Sequence, residues 1–107
     1  MKSIYVILEN SCCFLKELGY SYCCNIKSFI HPSVLFSSLN ERLQIGIDFE
    51  TNRMFCNRYD KSDDIHSIDL LINIDFRNCK TANQVIETGI ENLKKIIKND
   101  TSTRYHY

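Results

Sequence analysis

The sequence has little of what marks flexible, membrane-spanning or nucleic-acid-binding chains. Its 107 residues include one proline, three glycines and no tryptophan, and this composition argues against long linkers, disorder or a low-complexity tail. No apolar run approaches the roughly 18 residues that a membrane-spanning helix needs. Thirteen Lys and Arg balance thirteen Asp and Glu, so the chain lacks the excess positive charge that attracts proteins to phosphates. We therefore expect neither a membrane nor a nucleic acid as a partner.

What is present is the composition of a small globular domain. Hydrophobic residues make up 44% of the chain and charged residues 24%, which suits one core at this length. We predict a single α+β domain over residues 1–107, with residues 99–107 as a frayed tail. Lys2 and the apolar run Ile4–Leu8 resemble the start of an export signal, but the run ends at Glu9 and no clear cleavage site follows. A cytoplasmic location is therefore expected.

The clearest structural signal is a strict alternation between Arg42 and Tyr59. Apolar and polar residues alternate up to a polar turn at Thr51 and Asn52, and a period of two places the two kinds of side chain on opposite faces of a strand. The stretch predicts a β-hairpin with one buried face. The predicted buried row comprises Leu43, Ile45, Ile47 and Phe49, and the outward row comprises Gln44, Gly46, Asp48 and Glu50.

An amphipathic pattern predicts a helix at the start of the chain. Over Met1–Leu18, the apolar residues that include Leu15 and Leu18 recur at steps of three and four, so they share one face of a helix. Gly19 then supplies a C-terminal cap, from which Tyr20 folds back on the last turn. The segment Ile4–Leu8 also suits a short strand, because it is rich in β-branched residues.

Three further segments predict strands that accompany the hairpin. Tyr20–Lys27 alternates with a period of two, Val34–Ser38 follows a break at Pro32, and Ile68–Phe76 alternates except at Leu71. A short helix is the alternative for the last of these segments. The predicted inward rows are Tyr20, Tyr22, Cys24 and Ile26 in the first segment and Ile68, Leu70, Ile72, Ile74 and Phe76 in the last.

The strongest helix signal covers Thr81–Lys98. Thr81 and Gln84 match a capping box, and Gly89 inside the helix indicates close approach to the sheet. The apolar stripe of this helix and the Ile47 row should meet in one core, because neither can remain in water alone. The predicted fold is α+β, with a mostly antiparallel sheet of about five strands flanked by an N-terminal and a C-terminal helix. The stripe comprises Val85, Ile86, Ile90, Leu93, Ile96 and Ile97.

Two pairs of adjacent cysteines raise the question of a zinc site. The pairs are Cys12 with Cys13 and Cys23 with Cys24. Adjacent side chains point about 100° apart on a helix and to opposite faces of a strand, so neither pair closes a tetrahedral site as C-x-x-C does. We expect no metal and free thiols, with Cys12 and Cys24 in the core and Cys13 and Cys23 partly exposed.

Other side chains capable of chemistry are scattered along the chain. Asp64 and His66 flank Ile65 in a polar segment, and an Asp-x-His spacing serves metal binding or base catalysis when a rigid strand holds it. The sequence has no glycine-rich phosphate loop, no G-x-S-x-G and no H-E-x-x-H. The chain is therefore predicted not to be an enzyme and to use no cofactor.

The remaining asymmetry is a concentration of acidic residues on the predicted outward rows and on the connection after Tyr59. Such a surface is usually just solvated, but it also suits docking of a basic protein partner. Outward apolar and aromatic side chains would then supply the anchors that interface centres prefer. The predicted partner-binding residues are Asp60, Asp63, Asp64, Asp69, Phe55, Tyr59 and Leu71.

One short motif carries a resemblance to a known class of protein. The residues Phe14, Leu15, Lys16, Glu17, Leu18, Gly19 and Tyr20 follow F-L-x-x-L-G-Y and precede alternating strands and an amphipathic helix. In this motif and layout the chain resembles small bacterial immunity proteins. The resemblance implies a cytosolic, non-enzymatic protein that neutralises a toxin by occluding its active site. Two other classes stay open, namely a small-molecule binder or enzyme with a cavity between sheet and helices and a chaperone-like homodimer.

Overall fold

The computed structural model describes residues 3–60, 68–75 and 81–104. Its five strands form one antiparallel sheet whose spatial order is the order of the chain. The predicted α+β fold, with helices at both ends of a five-stranded sheet, is confirmed. The elements are α1 (Ile4–Ser11), α2 (Phe14–Glu17), β1 (Ser21–Ile26), β2 (Ser33–Ser37), β3 (Glu41–Asp48), β4 (Arg53–Asp60), β5 (Ile68–Asp75) and α3 (Ala82–Arg104).

None of the described helices has both the length and the apolar character that a membrane crossing requires.

The N-terminal helical segment is two helices rather than the single helix predicted for Met1–Leu18. Ser3 caps α1 by accepting a hydrogen bond from the Val6 N–H, and the helix ends at Cys12, where ψ is 14°. Ile4–Leu8 is therefore helical, and the strand alternative is wrong. The break lets Cys12 and Leu15 both reach the core, where each is fully buried.

The end of α2 has the predicted cap. Gly19 has a φ of 93°, and the N–H groups of Gly19 and Tyr20 donate to the carbonyls of Lys16 and Leu15, which is the hydrogen-bond pattern of a Schellman motif. Tyr20 folds back and is buried, as predicted. Leu18 is 45% exposed, so its assignment to the apolar face was wrong, because the chain leaves the helix there.

The core lies between one face of the sheet and the helices. The α1 helix contacts β2, and α3 contacts β4 and β5. Ile47, Ile90 and Leu93 belong to the same buried cluster, so the predicted meeting of the strand row with the helix stripe is confirmed. Phe49 is 52% exposed, contrary to prediction, because β3 ends at the preceding residue. The sheet contributes Val34, Phe36, Leu43, Ile45, Ile47, Met54, Cys56 and Ile72 to the core.

Irregular register changes which residues share a face in β1. The pairing shifts between Tyr22, which pairs with Phe36, and Cys24, which pairs with Leu35. Because a bulge adds a residue to one strand, alternation does not continue through it. The Tyr22 ring packs edge-on against buried Phe36 at 5.8 Å between centroids, whereas Cys24 is exposed. The prediction that Tyr22 and Cys24 share an inward row is therefore wrong.

A second register shift lies between β4 and β5, next to Cys56 and Asn57. Cys56 pairs with Ile72, but the next residue, Asn57, pairs with Leu70. Of the predicted inward row, Ile72 is buried and Ile74 is half-buried. The side chains of Ile68 and Leu70, together with residue Phe76, lie outside the described part of the chain.

The C-terminal helix begins where the sequence predicts. The Thr81 hydroxyl accepts a hydrogen bond from the Gln84 N–H at 3.2 Å, which is the expected N-terminal cap. The helix continues to Arg104, whereas the sequence prediction ends it at Lys98. Residues 105–107 lie outside the described part.

Close approach of α3 to the sheet at Gly89 is confirmed and can be tested by a double-mutant cycle. A Cβ atom at Gly89 would overlap the Sδ atom of buried Met54. Gly89→Ala should destabilise the protein, because overpacking costs about 1 to 3 kcal/mol and exceeds the gain of about 1 kcal/mol in helix propensity. In a Met54→Val background, which lacks the Sδ atom, the same change should be neutral or stabilising in urea unfolding. An equal loss in both backgrounds would contradict the contact.

Candidate functional site

The sheet face opposite the helices carries the candidate site, and we call it the open face. None of the described helices packs on it. Its side chains alternate along β2, β3 and β4 with the buried rows, and most are half-buried by their neighbours on the same face. Antiparallel sheets often leave one face to solvent. The open face includes Leu35, Arg42, Gln44, Phe55, Asn57, Tyr59 and Asn73.

The ring of Phe55 lies over Gly46 on the neighbouring strand, with which it is paired. A Cβ atom at Gly46 would lie 3.0 Å from Phe55 Cζ and 2.6 Å from Ser33 Cβ. The absence of a side chain at Gly46 therefore lets the ring settle on the backbone. Phe55 is half-buried although no described helix covers it, so the sheet itself fixes the position of this aromatic group.

A chain of hydrogen bonds crosses three strands of the open face. The Tyr59 hydroxyl donates to Gln44 Oε1 at 2.8 Å, and Gln44 Nε2 donates to the hydroxyl of Ser33 at 2.9 Å. Ser33 is fully buried, and a buried hydroxyl requires such a partner. The chain orients Tyr59 and Gln44 before any ligand arrives, which reduces the conformational entropy that binding would cost.

A depression of about 420 Å³ lies at the end of the open face near the β3–β4 turn. Arg53 contributes a cation to it, 3.9 Å from the carboxylate of Asp75 on the adjacent strand. A mixed lining of this kind suits a small polar or charged group better than an apolar one. The residues that line the depression are His31, Asp48, Thr51, Arg53, Phe55, Asn57 and Asn73.

Imidazole and carboxylate groups converge at the rim of this depression. His31 Nε2 lies 3.3 Å from Asp48 Oδ1 and 3.9 Å from Glu50 Oε2. A hydrogen bond from the Thr51 hydroxyl lowers the pKa of Asp48, and the N–H groups of Glu50 and Thr51 and the charge of His31 act in the same direction against partial desolvation. A pKa lowered on folding means that Asp48 stabilises the fold above the ordinary aspartate pKa, and the contribution is lost as the pH falls.

A second depression, of about 490 Å³, has a mostly apolar lining. It lies between the start of α1 and the β1–β2 connection, where Phe29 is fully exposed. Its shape results from the tip of this connection, which is held to α1 by a hydrogen bond from the Ser28 N–H to the Tyr5 hydroxyl. The residues that line it are Ile4, Tyr5, Lys27, Ser28, Phe29, Pro32 and Phe49.

Buried thiols and a polar cluster lie on the helix side of the sheet. The Tyr20 hydroxyl donates to Glu41, whose carboxylate lies 3.9 Å from the Arg58 guanidinium. Burial raises the pKa of Cys12 to about 12, and burial likewise raises the pKa of Cys56. Since the thiolate is the reactive form of cysteine, these two residues are core side chains rather than nucleophiles.

The predicted partner-binding residues are only partly within the described structure. Phe55 and Tyr59 lie on the open face of β4, on the predicted outward row. Asp60 ends β4, and Asp69 and Leu71 belong to β5. The side chains of Asp60, Asp69 and Leu71, and the whole of Asp63, Asp64 and His66, lie outside the described part of the chain.

The predicted locations of the cysteines are correct for three of the four residues. Cys12 is buried, and Cys13 and Cys23 are exposed, but Cys24 is exposed rather than in the core. The β1 bulge is the cause, because it moves Cys24 out of the row of Tyr22. Within the described ranges, the four cysteines do not form a metal-ligating group, and the cluster that does combine such side chains is His31, Asp48 and Glu50.

Sequence reasoning missed this cluster although part of it was visible. Asp48 and Glu50 stand two residues apart on one predicted outward row, which places both carboxylates on the same side. The location of His31 depends on pairing of its loop with β3, where the N–H of Ile47 donates to the Pro32 carbonyl and that of Phe49 to the Ile30 carbonyl. No local pattern encodes that pairing.

The chain matches no protein-family model, and comparison with curated proteins and with solved structures also gives no match.

The burial of the thiols predicts two classes of reactivity. In a Cys79→Ser variant, which removes the cysteine outside the described part, three thiols should react rapidly with a disulfide reagent in the native state. Cys12 and Cys56 should react only on unfolding, because they are buried and their thiolates are disfavoured. Kinetic thiol counting with and without denaturant measures this, and mass spectrometry assigns the labelled residues. Five equally fast thiols would contradict the buried positions.

Proposed function

We propose that the protein is a non-enzymatic binding module that recognises a protein partner through the open face of its sheet. One observation carries the proposal: a sheet face without a described helix presents Phe55 and Tyr59 in positions fixed by Gly46 and by the Tyr59–Gln44 hydrogen bond. Interface centres favour aromatic and arginine side chains. Side chains that are already ordered also lose little entropy when a partner binds.

The chemistry of the partner follows from charge. After Tyr59 the chain continues through Asp60, Asp63 and Asp64, with Lys61 as the single cation before His66. An acidic segment that follows the aromatic strand in the sequence supports a partner with a basic surface, because complementary potentials raise the rate of encounter. Binding of this kind requires no cofactor and no reaction, which agrees with the absence of catalytic sequence motifs.

We propose that this binding module acts as an immunity-like protein. The F-L-x-x-L-G-Y motif ends α2 and leads into the sheet, and this layout supports the resemblance to small bacterial immunity proteins. Such a protein would act in the cytoplasm and neutralise its partner toxin by covering the toxin's active site. Surface complementarity alone would account for the effect.

A matched pair of arginine substitutions tests the open face. Asn73 is exposed on β5 and Asn92 is exposed on α3, so Asn73→Arg and Asn92→Arg make the same change in opposite layers. Both variants should fold like the wild type, since neither side chain is buried. Asn73→Arg should lower affinity for a basic partner at least tenfold through bulk and repulsion, whereas Asn92→Arg should bind normally.

The measurement begins with crosslinking of the wild-type protein in its own cells and continues with the purified partner by calorimetry. If the partner is a toxin, the wild type and Asn92→Arg should restore growth when the toxin is expressed, and Asn73→Arg should not. Full protection by Asn73→Arg, or loss of binding by Asn92→Arg, would refute the proposed surface. Failure of the wild type to bind any protein would refute the proposed function.

The acidic segment should act mainly on the rate of encounter. Replacing Asp60, Asp63 and Asp64 with Asn should slow association with the basic partner while leaving the melting temperature nearly unchanged, because carboxylates in polar segments contribute little stability. Added salt should slow the wild type in the same direction by screening. Replacing Lys94, Lys95 and Lys98 of α3 with Gln is the control and should leave the rate unchanged. Stopped-flow kinetics measures the association rate of each variant. Slower association of the lysine variant alone would contradict a steering role for the acidic segment.

A further inference from the structure

His31, Asp48 and Glu50 form a cluster of side chains that the proposed protein-binding function does not use. One nitrogen and two carboxylate oxygens from these residues lie within 4.8 Å of one another. Donor atoms around an ion with bonds of about 2.1 Å are separated by about 3.0 to 3.5 Å, and the His31–Asp48 distance is already 3.3 Å. We propose that these three side chains bind a divalent transition-metal ion at the rim of the open-face depression.

Backbone hydrogen bonds hold the loop that carries His31 against the end of β3. The Ser28 hydroxyl accepts hydrogen bonds from the N–H groups of Ile30 and His31, which shapes the loop that carries the imidazole. That loop is joined to the end of β3 by the hydrogen bond of 2.9 Å from the Phe49 N–H to the Ile30 carbonyl. The imidazole therefore meets Asp48 through backbone pairing between its loop and the strand rather than through chance proximity.

Thr51 serves as an outer-shell partner for one ligand. Its hydroxyl donates to Asp48 Oδ2 at 2.8 Å, while Asp48 Oδ1 faces His31 and also accepts the Glu50 N–H at 2.9 Å. A hydrogen bond on the distal oxygen orients a ligating carboxylate, as outer-shell partners commonly do. The Thr51 contact therefore fixes the direction in which Asp48 presents its other oxygen.

The ligand set favours one class of ion. One imidazole with two carboxylates suits Mn²⁺, Fe²⁺, Co²⁺ or Zn²⁺, whereas Ca²⁺ and Mg²⁺ prefer oxygen ligands alone. The depression that His31 and Asp48 line provides room for water or an anion at the remaining coordination positions. The alternative is a simple pair between His31 and Asp48, in which both groups would interact without any ion.

Cobalt(II) is the probe, because its visible spectrum reports the ligand class. Titration of the reduced protein should give one site with d–d bands and without the sulfur-to-cobalt charge-transfer band of thiolate ligation. His31→Gln, Asp48→Asn and Glu50→Gln should each weaken Co²⁺ binding at least tenfold. Zn²⁺ should displace Co²⁺, because it binds nitrogen and oxygen sites more tightly. A rise in melting temperature with Co²⁺ should disappear in the same variants.

The matched control removes the other two histidines. A His66→Gln, His106→Gln variant should bind Co²⁺ within twofold of the wild type, and circular dichroism should confirm that every variant is folded. Because His31 and Glu50 are exposed, their variants keep the test valid even if Asp48→Asn loosens the turn. Wild-type affinity in the His31 and Glu50 variants, a thiolate spectrum, or no binding at millimolar Co²⁺ would overturn the proposal and leave an ion pair only.

Discussion

Burial of a single face of the sheet is the constraint on which the rest of the structure depends. The central strand, β3, places Leu43, Ile45 and Ile47 under the helices. Burial of each such side chain stabilises the fold by about 1.5 to 3 kcal/mol. A slip of one residue would exchange the two rows completely. The apolar rows therefore fix the register, and the register in turn decides that Gln44, Gly46 and Phe55 meet on the other face.

The open face consequently has to satisfy its own polar groups. Ser33 is fully buried on a face without a described helix. Gln44 donates a hydrogen bond to the Ser33 hydroxyl and accepts one from the Tyr59 hydroxyl. A single amide thus links two hydroxyls across three strands. The surface is neither a simple solvated row nor a second core, and its order comes from contacts within one layer.

The sequence predicted the fold where the signal was periodic and local. The alternation of β3, the cap at Thr81 and the stripe of α3 all depend on residues within a few positions of one another. The predicted inward row of β1 is wrong at Cys24, because a bulge depends on the pairing of two strands and leaves no mark in the sequence of one strand. The N-terminal helix was predicted as one piece for a similar reason. No proline or glycine marks its break at Cys12 in the sequence, and the break coincides with the burial of Cys12 and Leu15.

The residues of the candidate site were likewise predictable only where their positions depend on local sequence. Phe55 and Tyr59 were predicted to face outward, and both lie on the open face. The approach of His31 to Asp48 was not predictable, because it depends on backbone hydrogen bonds between the loop and β3. A histidine before a proline is unremarkable in sequence. Only the pairing of its loop with the end of a strand gives it carboxylate neighbours.

The identity of spatial and chain order in the sheet has a consequence for folding. Every strand pairs with the strand made immediately before it, so loop-closure entropy is small at each step and rapid folding is favoured. During synthesis, each new strand emerges beside a finished edge. The helix α3, which covers β4 and β5, follows both strands in the chain. The apolar side of these two strands therefore stays open until α3 has left the ribosome, and that interval exposes the nascent chain to aggregation.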